Sequence, residues 1–151
     1  MRRDGRLSAV LHLLLHMREL EGPVTSEVLG PLMNTNPVLV RRILGGLRDA
    51  GIVSAGKGHG GGWALARPLE EVTLADVYRA LGAPNLFSIG PQRENPRCLV
   101  EQAVNRSLGK ALGEAEALLL AELARTTVAD IARDVRQHHP HSKQKRGNVH
   151  A

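Results

Sequence analysis

The sequence predicts a mainly α-helical fold with one small β-hairpin, and three observations predict it. The 151 residues are 42% apolar but only 2% aromatic, so the core must consist of leucine, valine, isoleucine and alanine. Such residues recur at helical spacing along several stretches of the chain. Two short apolar runs flank the glycine-rich segment 56–62, which is typical of a hairpin. The length allows one compact domain with an appended element.

The first two helices are predicted from apolar periodicity and from the residues that end it. Residues 6–20 carry leucine, valine and methionine at helical spacing, and Gly22-Pro23 follows as a breaker. A second helix, capped by Thr25 or Ser26, runs to about residue 33. Pro31 should shorten or kink that helix, because proline removes a backbone donor and clashes with the preceding turn.

The third helix has the clearest boundaries. Asn36 is a good N-cap, Pro37 has its φ preset for the first helical position, and Gly51 suits a left-handed stop, so the helix covers about residues 37–50. Its apolar residues lie at i, i+3, i+4 and i+7 and should pack inward: Val40, Ile43, Leu44 and Leu47. The residues turned outward to differing degrees are then Leu39, Arg41, Arg42, Gly45 and Arg48.

A hairpin follows this helix directly. Residues 52–55 and 63–66 are predicted strands, and Trp63 is interpreted as packing at the hairpin base. Helix, turn and hairpin in this order predict a winged helix-turn-helix domain, in which a DNA-reading helix precedes a basic wing. Glycines would let the wing backbone approach a groove closely, with Lys57 and His59 at its tip near phosphate or the minor groove.

The remainder of the chain is predicted to be helical with one irregular segment. Residues 138–151 lack apolar content and are predicted to form a disordered basic tail. The elements before that tail are a helix capped by Thr73 and Asp76 and ending near Leu81, an irregular proline-containing segment over 83–97, a long helix over about 99–124, and a last helix from Thr127 to about Gln137.

The predicted domain organisation follows from these elements and from the charge. A winged helix-turn-helix domain covers residues 1–82, and a linker, a dimerisation helix and a C-terminal helix cover 83–137. The whole chain has a net charge of +5. Residues 1–67 carry 9 Lys/Arg against 5 Asp/Glu, whereas residues 68–137 carry 8 against 10. Positive charge therefore concentrates on the half that is predicted to read DNA.

The sequence resembles the IscR/NsrR/CymR family of bacterial winged-helix transcription regulators. The residues that match are Asn36-Pro37, Val40 to Leu44, Leu47, Ala50 to Val53, Gly58 and Gly61 to Arg67, with a looser match over Thr73 to Tyr78. The resemblance implies a homodimer in which the long helix pairs with its copy, so that two recognition helices meet a pseudo-palindromic operator on double-stranded DNA. It also favours a repressor.

The predicted DNA contacts come from the third helix and the wing. Arg41 and Arg42 can reach guanine edges or phosphates because guanidinium presents a planar fork of donors. The start of a recognition helix usually meets base edges. The predicted DNA-binding residues are Thr35, Asn36, Pro37, Leu39, Arg41, Arg42, Lys57 and His59. The alternative for the two arginines is a solvated helix face.

Cys98 is the single cysteine, so an intrachain disulfide is excluded. Members of the resembled family that hold iron–sulfur clusters use three cysteines in this neighbourhood, so we expect no cluster and no cofactor. Arg97 and the start of the long helix could activate the thiol as a redox or electrophile sensor. An inert, partly buried cysteine explains the same residue equally well.

Histidines offer a weaker signal. His12 and His16 lie four residues apart, a spacing that metal sites use, but no Glu or Cys completes a ligand set nearby in the motif. The interpretation we adopt from the sequence is a polar helix face and no metal site. His138, His139 and His141 are interpreted as part of the basic tail.

Two other classes of function compete with DNA binding. One is a winged helix that binds proteins rather than DNA, and the other is an enzyme with Cys98 as its nucleophile. The second lacks an identifiable base, and no catalytic signature is visible, so we expect a protein that is not an enzyme. A regulator that senses a small ligand while Cys98 is inert also stays open. Without a signal peptide or an apolar run of 18 residues, the chain is expected in the cytoplasm.

Overall fold

A computed structural model describes residues 4–58 and 61–138 of the chain. Within these ranges the fold is mainly α-helical with one two-stranded antiparallel sheet, as the sequence predicts. The elements are α1 (Arg6–Glu19), α2 (Ser26–Leu32), α3 (Pro37–Asp49), β1 (Val53–Ala55), β2 (Trp63–Leu65), a 3-10 helix (Leu69–Glu71), α4 (Leu74–Ala80), α5 (Leu99–Arg125) and α6 (Val128–His138).

The core lies between α1, α3, α4 and the base of the hairpin, and it is aliphatic as the composition requires. The four predicted inward positions of α3 are all buried, which confirms the phase of that helix. Leu44 and Leu47 have no exposed surface. Helix α1 contributes a parallel set of buried residues: Val10, Leu13, Leu14 and Met17.

Helix α6 returns to this core, although the domain prediction grouped it with the linker and α5. Val128 and Ala129 are buried, and α6 packs against α1 and the 3-10 helix. Thr73 and Thr127 form an antiparallel β-bridge, in which the Leu74 N–H donates to the Thr126 carbonyl at 2.9 Å and the Val128 N–H donates to the Val72 carbonyl at 2.8 Å. The first residues of α4 and α6 are therefore neighbours.

Both helices begin with the same device. The Thr73 hydroxyl accepts from the Asp76 N–H at 3.1 Å, and the Asp76 carboxylate accepts from the Thr73 N–H at 3.0 Å. Thr127 and Asp130 repeat this pair of bonds at 2.8 and 3.1 Å. A capping box satisfies backbone N–H groups that a helix start leaves without partners. The sequence predicted the cap at Thr73 and the start of the last helix at Thr127, and the structure has a capping box at both places.

Helix α5 differs from every other helix in the described part of the chain, because none of its 27 residues is buried. It contacts α4. Leu112 and Leu123 are half-buried, so part of the apolar surface of α5 is covered within the subunit. The exposed apolar side is a stripe at spacings of three and four residues, which we call the α5 stripe: Val100, Val104, Leu108, Ala111, Ala115 and Leu118.

Two further expectations concern the ends and the surroundings of the chain. In the described ranges, no helix combines the length and the apolar character that a membrane crossing needs. The predicted tail lies outside the described residues except for His138, which ends α6.

Candidate nucleic-acid interface

The turn between α2 and α3 holds the two helices in a helix-turn-helix arrangement. The Thr35 N–H donates to the Gly30 carbonyl at 3.0 Å, and Asn34 takes a left-handed φ of 50°. A Cβ on Gly30 would lie 2.8 Å from the Thr35 carbonyl oxygen, so this approach requires glycine. Pro31 lies in the last turn of α2, which ends one residue later at Leu32, so the helix is short, as predicted.

The start of α3 is built as the sequence predicts. The Asn36 side chain accepts from the Leu39 N–H at 3.0 Å, and Pro37 is the first helical residue. Thr35 and Pro37 are half-buried, while Asn36 is exposed. Leu39 packs against the core and is also half-buried, whereas the neighbouring Val38 is 60% exposed. Val38 is thus the more available apolar side chain on the first turn of α3, and the periodicity did not single it out.

The outer face of α3 carries the predicted arginines. Arg41, Arg42 and Arg48 are all exposed, on the side opposite the buried leucines. Arg41 donates to the Glu27 carboxylate of α2 at 3.3 Å, and Arg48 pairs with Asp49 at the same distance. Among the described residues, no carboxylate lies within 4.0 Å of the Arg42 guanidinium. Within the described part of the chain, Arg42 therefore has no carboxylate partner, whereas Arg41 and Arg48 each have one.

Glu27 is a residue of this surface that the sequence reasoning missed. A hydrogen bond from its own backbone N–H, opposed by desolvation and assisted by Thr25 and Arg41, holds the pKa of the Glu27 carboxyl below its usual range. It is therefore ionised near neutral pH, and it holds Arg41 in an ion pair. Its spacing of 14 residues from Arg41 becomes informative only once α2 and α3 are known to pack together.

The wing is anchored at its base to the segment that precedes α2. Val24 and Trp63 exchange two backbone hydrogen bonds at 2.8 and 2.9 Å, and the Trp63 indole N–H donates to the buried Ser26 hydroxyl at 3.0 Å. This confirms the interpretation of Trp63 as wing-base packing. A Cβ on Gly62 would lie 2.8 Å from the Val24 backbone, so the close crossing requires glycine there. The wing base and α2 are thus held as one unit.

The wing tip presents backbone and one described basic side chain. The Gly56 N–H donates to the Gly62 carbonyl at 2.8 Å, and Gly58 takes a left-handed φ of 82°. Lys57 is exposed beside these glycines. His59, which the sequence also predicted at the tip, lies outside the described residues. The arrangement offers a glycine-rich backbone and an ammonium group to a phosphate.

Comparison with known proteins gives the same assignment over most of the chain. The model of the Rrf2 family, described as "Iron-dependent Transcriptional regulator", matches residues 4–134. YwnA of Bacillus subtilis (strain 168), named as a candidate HTH-type transcriptional regulator, is 27% identical over 128 residues, which are 85% of this chain and 95% of YwnA.

Solved structures share the fold at lower identity. A candidate transcriptional regulator from Lactobacillus plantarum has a TM-score of 0.74 and 24% identity, with 89% of this chain and 92% of that chain covered. Staphylococcus aureus CymR in its oxidized form has a TM-score of 0.60 and 22% identity, with 87% and 96% covered. At these identities the likeness concerns the fold.

The family description mentions iron, and the donor set of this chain does not fit a thiolate-ligated cluster. The whole sequence contains one cysteine, Cys98, whereas cluster ligation in proteins uses mainly cysteine thiolates. Over residues 4–58 and 61–138, no three side chains of His, Cys, Asp or Glu converge on a point where they could hold a metal. No step of the function is therefore assigned to a cluster.

The match over residues 4–134 covers the helix-turn-helix, the wing, the long helix and most of α6. It agrees with the geometry of α3 and the wing, and with the resemblance read from the sequence. The chain belongs to the Rrf2 family of transcriptional regulators, and it is a DNA-binding regulator rather than an enzyme.

Proposed function

We propose that the protein is a repressor that binds a pseudo-palindromic operator as a homodimer. The observation that carries this proposal is the α5 stripe. A helix of 27 residues, about 40 Å long at 1.5 Å per residue, keeps apolar side chains in solvent along its length. Val100 is 71% exposed and Leu118 is 68% exposed. A second α5 covers such a stripe with its own, because a two-fold axis pairs identical surfaces.

The distribution of charge supports the proposal that α3 and the wing contact DNA and that α5 forms the dimer. The α3 face and wing carry Arg41, Arg42, Arg48 and Lys57, whereas α5 carries both signs. In the proposed dimer, α5 sets the distance between two α3 helices, and each half-site alone binds weakly. We place the protein in the cytoplasm, where its DNA would be.

The test of the dimer compares substitutions within the α5 stripe with a substitution elsewhere on α5. Val104→Glu and Leu118→Glu each put a charge into the proposed interface, and Ala117→Glu puts the same charge on an exposed position away from the stripe. We expect the first two variants to be monomers by light scattering at micromolar concentration and to lose operator binding. Ala117→Glu should behave as wild type. Leu123 is a poorer choice, because it is half-buried within the subunit.

Two results would contradict the proposal. The first is a wild-type monomer that binds a palindromic operator tightly. The second is a dimer that survives both stripe variants. Repression itself is tested by fusing a promoter that contains the operator to a reporter gene. Reporter expression should rise when the gene for this protein is deleted. Operator sequences come from sequencing the DNA that the protein retains.

A signal acting through Cys98 is a second part of the proposal, and its support is the position of the thiol. Cys98 is the residue before α5 and is half-buried. Its N–H donates to the Asn95 carbonyl at 3.0 Å. The preceding segment is held along α5 by side chains, since Gln102 donates to the Pro96 carbonyl at 2.9 Å and Asn105 donates to the Gln92 carbonyl at 2.6 Å. A bulky modification of the sulfur would disturb the junction that these bonds hold.

An oxidant should therefore lower operator affinity in wild type and leave Cys98→Ser unresponsive, as measured by fluorescence anisotropy. Release from Cys98→Ser under the same oxidant would exclude the thiol. A small effector would then be favoured, and a cavity of about 570 Å³ between residues 83–93 and α5 is the candidate site for it. Among the residues that line this cavity are Tyr78, Phe87, Arg93, Leu112 and Glu116.

A further inference from the structure

His12 and His16 face each other on α1, on the side that looks toward α6. Their Nε2 atoms are 2.8 Å apart, whereas the ring centroids are 4.5 Å apart and the ring planes differ by 64°. At this distance one Nε2–H donates to the other Nε2, so the two imidazoles meet through a hydrogen bond between their Nε2 atoms. The four-residue spacing alone is compatible with a polar helix face, and the 2.8 Å separation in addition brings both nitrogens close enough to bind one shared ion.

The distance between the two nitrogens is informative about a metal. Imidazole nitrogens bind first-row metals at about 2.0 Å, so two ligands at a right angle lie about 2.8 Å apart and two at the tetrahedral angle about 3.3 Å apart. The 2.8 Å between the hydrogen-bonded nitrogens equals the separation at the right angle of a tetragonal site, and an ion can replace the shared proton when the donor ring takes its Nδ1–H tautomer. That geometry is the one that Cu²⁺ and Ni²⁺ prefer with nitrogen ligands. A tetrahedral Zn²⁺ needs the rings to open slightly.

The surroundings leave room for the rest of a coordination shell. The two histidines line a groove of about 480 Å³ between α1 and α6. Glu19 lies seven residues after His12, two helical turns along the same side of α1, and it is the carboxylate among the residues that line the groove. Arg18 also lines the groove, but it lies within 3.9 Å of both Glu19 and Glu70, which offset its charge. The other lining residues are Leu15, Ala132, Val135 and Arg136.

We propose that His12 and His16 form a binding site for one divalent transition-metal ion, with Cu²⁺ and Ni²⁺ preferred to Zn²⁺. The two Nε2 atoms are the protein ligands, water fills the other positions, and Glu19 can turn from Arg18 to supply an oxygen. Because no third ligand is in place among the described residues, we expect the affinity of a bidentate site. This site uses no thiolate and is independent of the proposed DNA contacts.

The test is a calorimetric titration of the purified full-length chain with NiCl₂ and with CuSO₄. The matched control replaces the other clustered histidines, His138, His139 and His141, with alanine. We expect that control to bind the metal as wild type does. His12→Ala or His16→Ala should lower the metal affinity by about 100-fold, because each removes one of the two ligands of a bidentate site. Glu19→Gln should have a smaller effect. Circular dichroism checks that the exposed substitutions leave the fold intact.

A second measurement reads the site directly. In a nuclear magnetic resonance titration, Cu²⁺ should first broaden the ring signals of His12 and His16. Unchanged titrations in both single variants would overturn the proposal. So would loss of binding in the triple variant at residues 138, 139 and 141, because the metal would then bind outside the α1 groove. Neither measurement includes DNA, so the outcome does not depend on the proposed repressor function.

Discussion

Helices α3 and α5 both carry apolar residues at spacings of three and four, but the two helices differ in what covers those residues. Helix α3 spans 13 residues and buries Val40, Ile43, Leu44 and Leu47 against its own chain. Helix α5 spans 27 residues and buries none. The apolar face of α3 is therefore complete within one subunit, whereas that of α5 is incomplete.

The same sequence pattern can therefore indicate either a helix buried in its own subunit or a helix that needs a partner. Apolar residues at spacings of three and four predict a helix with one apolar side, but they do not say what covers that side. For α3 the cover is α2, α4 and β1, so its arginines are turned toward the outside. For α5, contacts such as those with α4 cover part of the surface, but the α5 stripe stays exposed in the described part of the subunit, and on that we base the proposed partner.

The largest expected effect sharpens this contrast within the fold. Leu44 has no exposed surface, and Leu44→Ala should lower the free energy of unfolding by about 2–5 kcal/mol because it leaves a cavity. Leu118→Ala on α5 removes the same atoms from a side chain that is 68% exposed. Urea unfolding at protein concentrations low enough to populate monomers should give a change within about 0.5 kcal/mol for that variant.

Equal costs for the two leucines in monomers would mean that the α5 stripe is covered within the subunit. The comparison between the helices would then fail. A cost for Leu118→Ala that grows with protein concentration would instead support the dimer, because association stabilises the folded state by mass action.

The next effect concerns the outer face of α3. Arg42 has no carboxylate within 4.0 Å among the described residues, so it needs to break no ion pair before it meets DNA. Arg42→Ala should cost about 1–3 kcal/mol in operator binding if it reads a base, and it should relax specificity at that position. Lys57→Ala should weaken binding to all sequences and reduce the salt slope by about 1.

The matched control for these variants is Arg106→Ala, which removes an exposed cation from α5. It should leave operator affinity nearly unchanged in anisotropy measurements. If Arg42→Ala and Arg106→Ala lose the same amount, the effect is one of total charge, and the assignment of α3 as the base-reading helix is wrong.

The smallest effect comes from Glu27, which holds Arg41. The ion pair between Glu27 and Arg41 is exposed and therefore weak, so Glu27→Gln should strengthen operator binding by no more than about fivefold. Glu71→Gln removes one negative charge from an exposed residue of the 3-10 helix and serves as the control. A larger gain from Glu71→Gln than from Glu27→Gln would show that Arg41 is not restrained by its pairing.

The sequence predicted the parts of this molecule that depend on local physics. The N-cap at Asn36, the capping boxes at Thr73 and Thr127 and the inward phase of α3 each rest on interactions within a few residues. The pairing of Arg41 with Glu27 and the return of α6 to the core depend on tertiary packing, which a single sequence does not encode by spacing. Which side of α5 stays exposed depends on tertiary packing in the same way, since Leu112 and Leu123 are partly covered by contacts outside their helix.

The bridge between Thr73 and Thr127 has a consequence for how such a protein can change over evolution. Helix α4 and the start of α6 both pack in the core, and the Thr73–Thr127 bridge holds their first residues together. Residues 83–125 are therefore inserted between two anchored segments of the chain. Insertions or deletions of whole helical turns within residues 83–125 alter the length of that segment while Leu44 and the rest of the core stay packed. In the proposed dimer, the distance between the two α3 helices, and with it the preferred operator spacing, could then change without any change in the residues predicted to contact DNA.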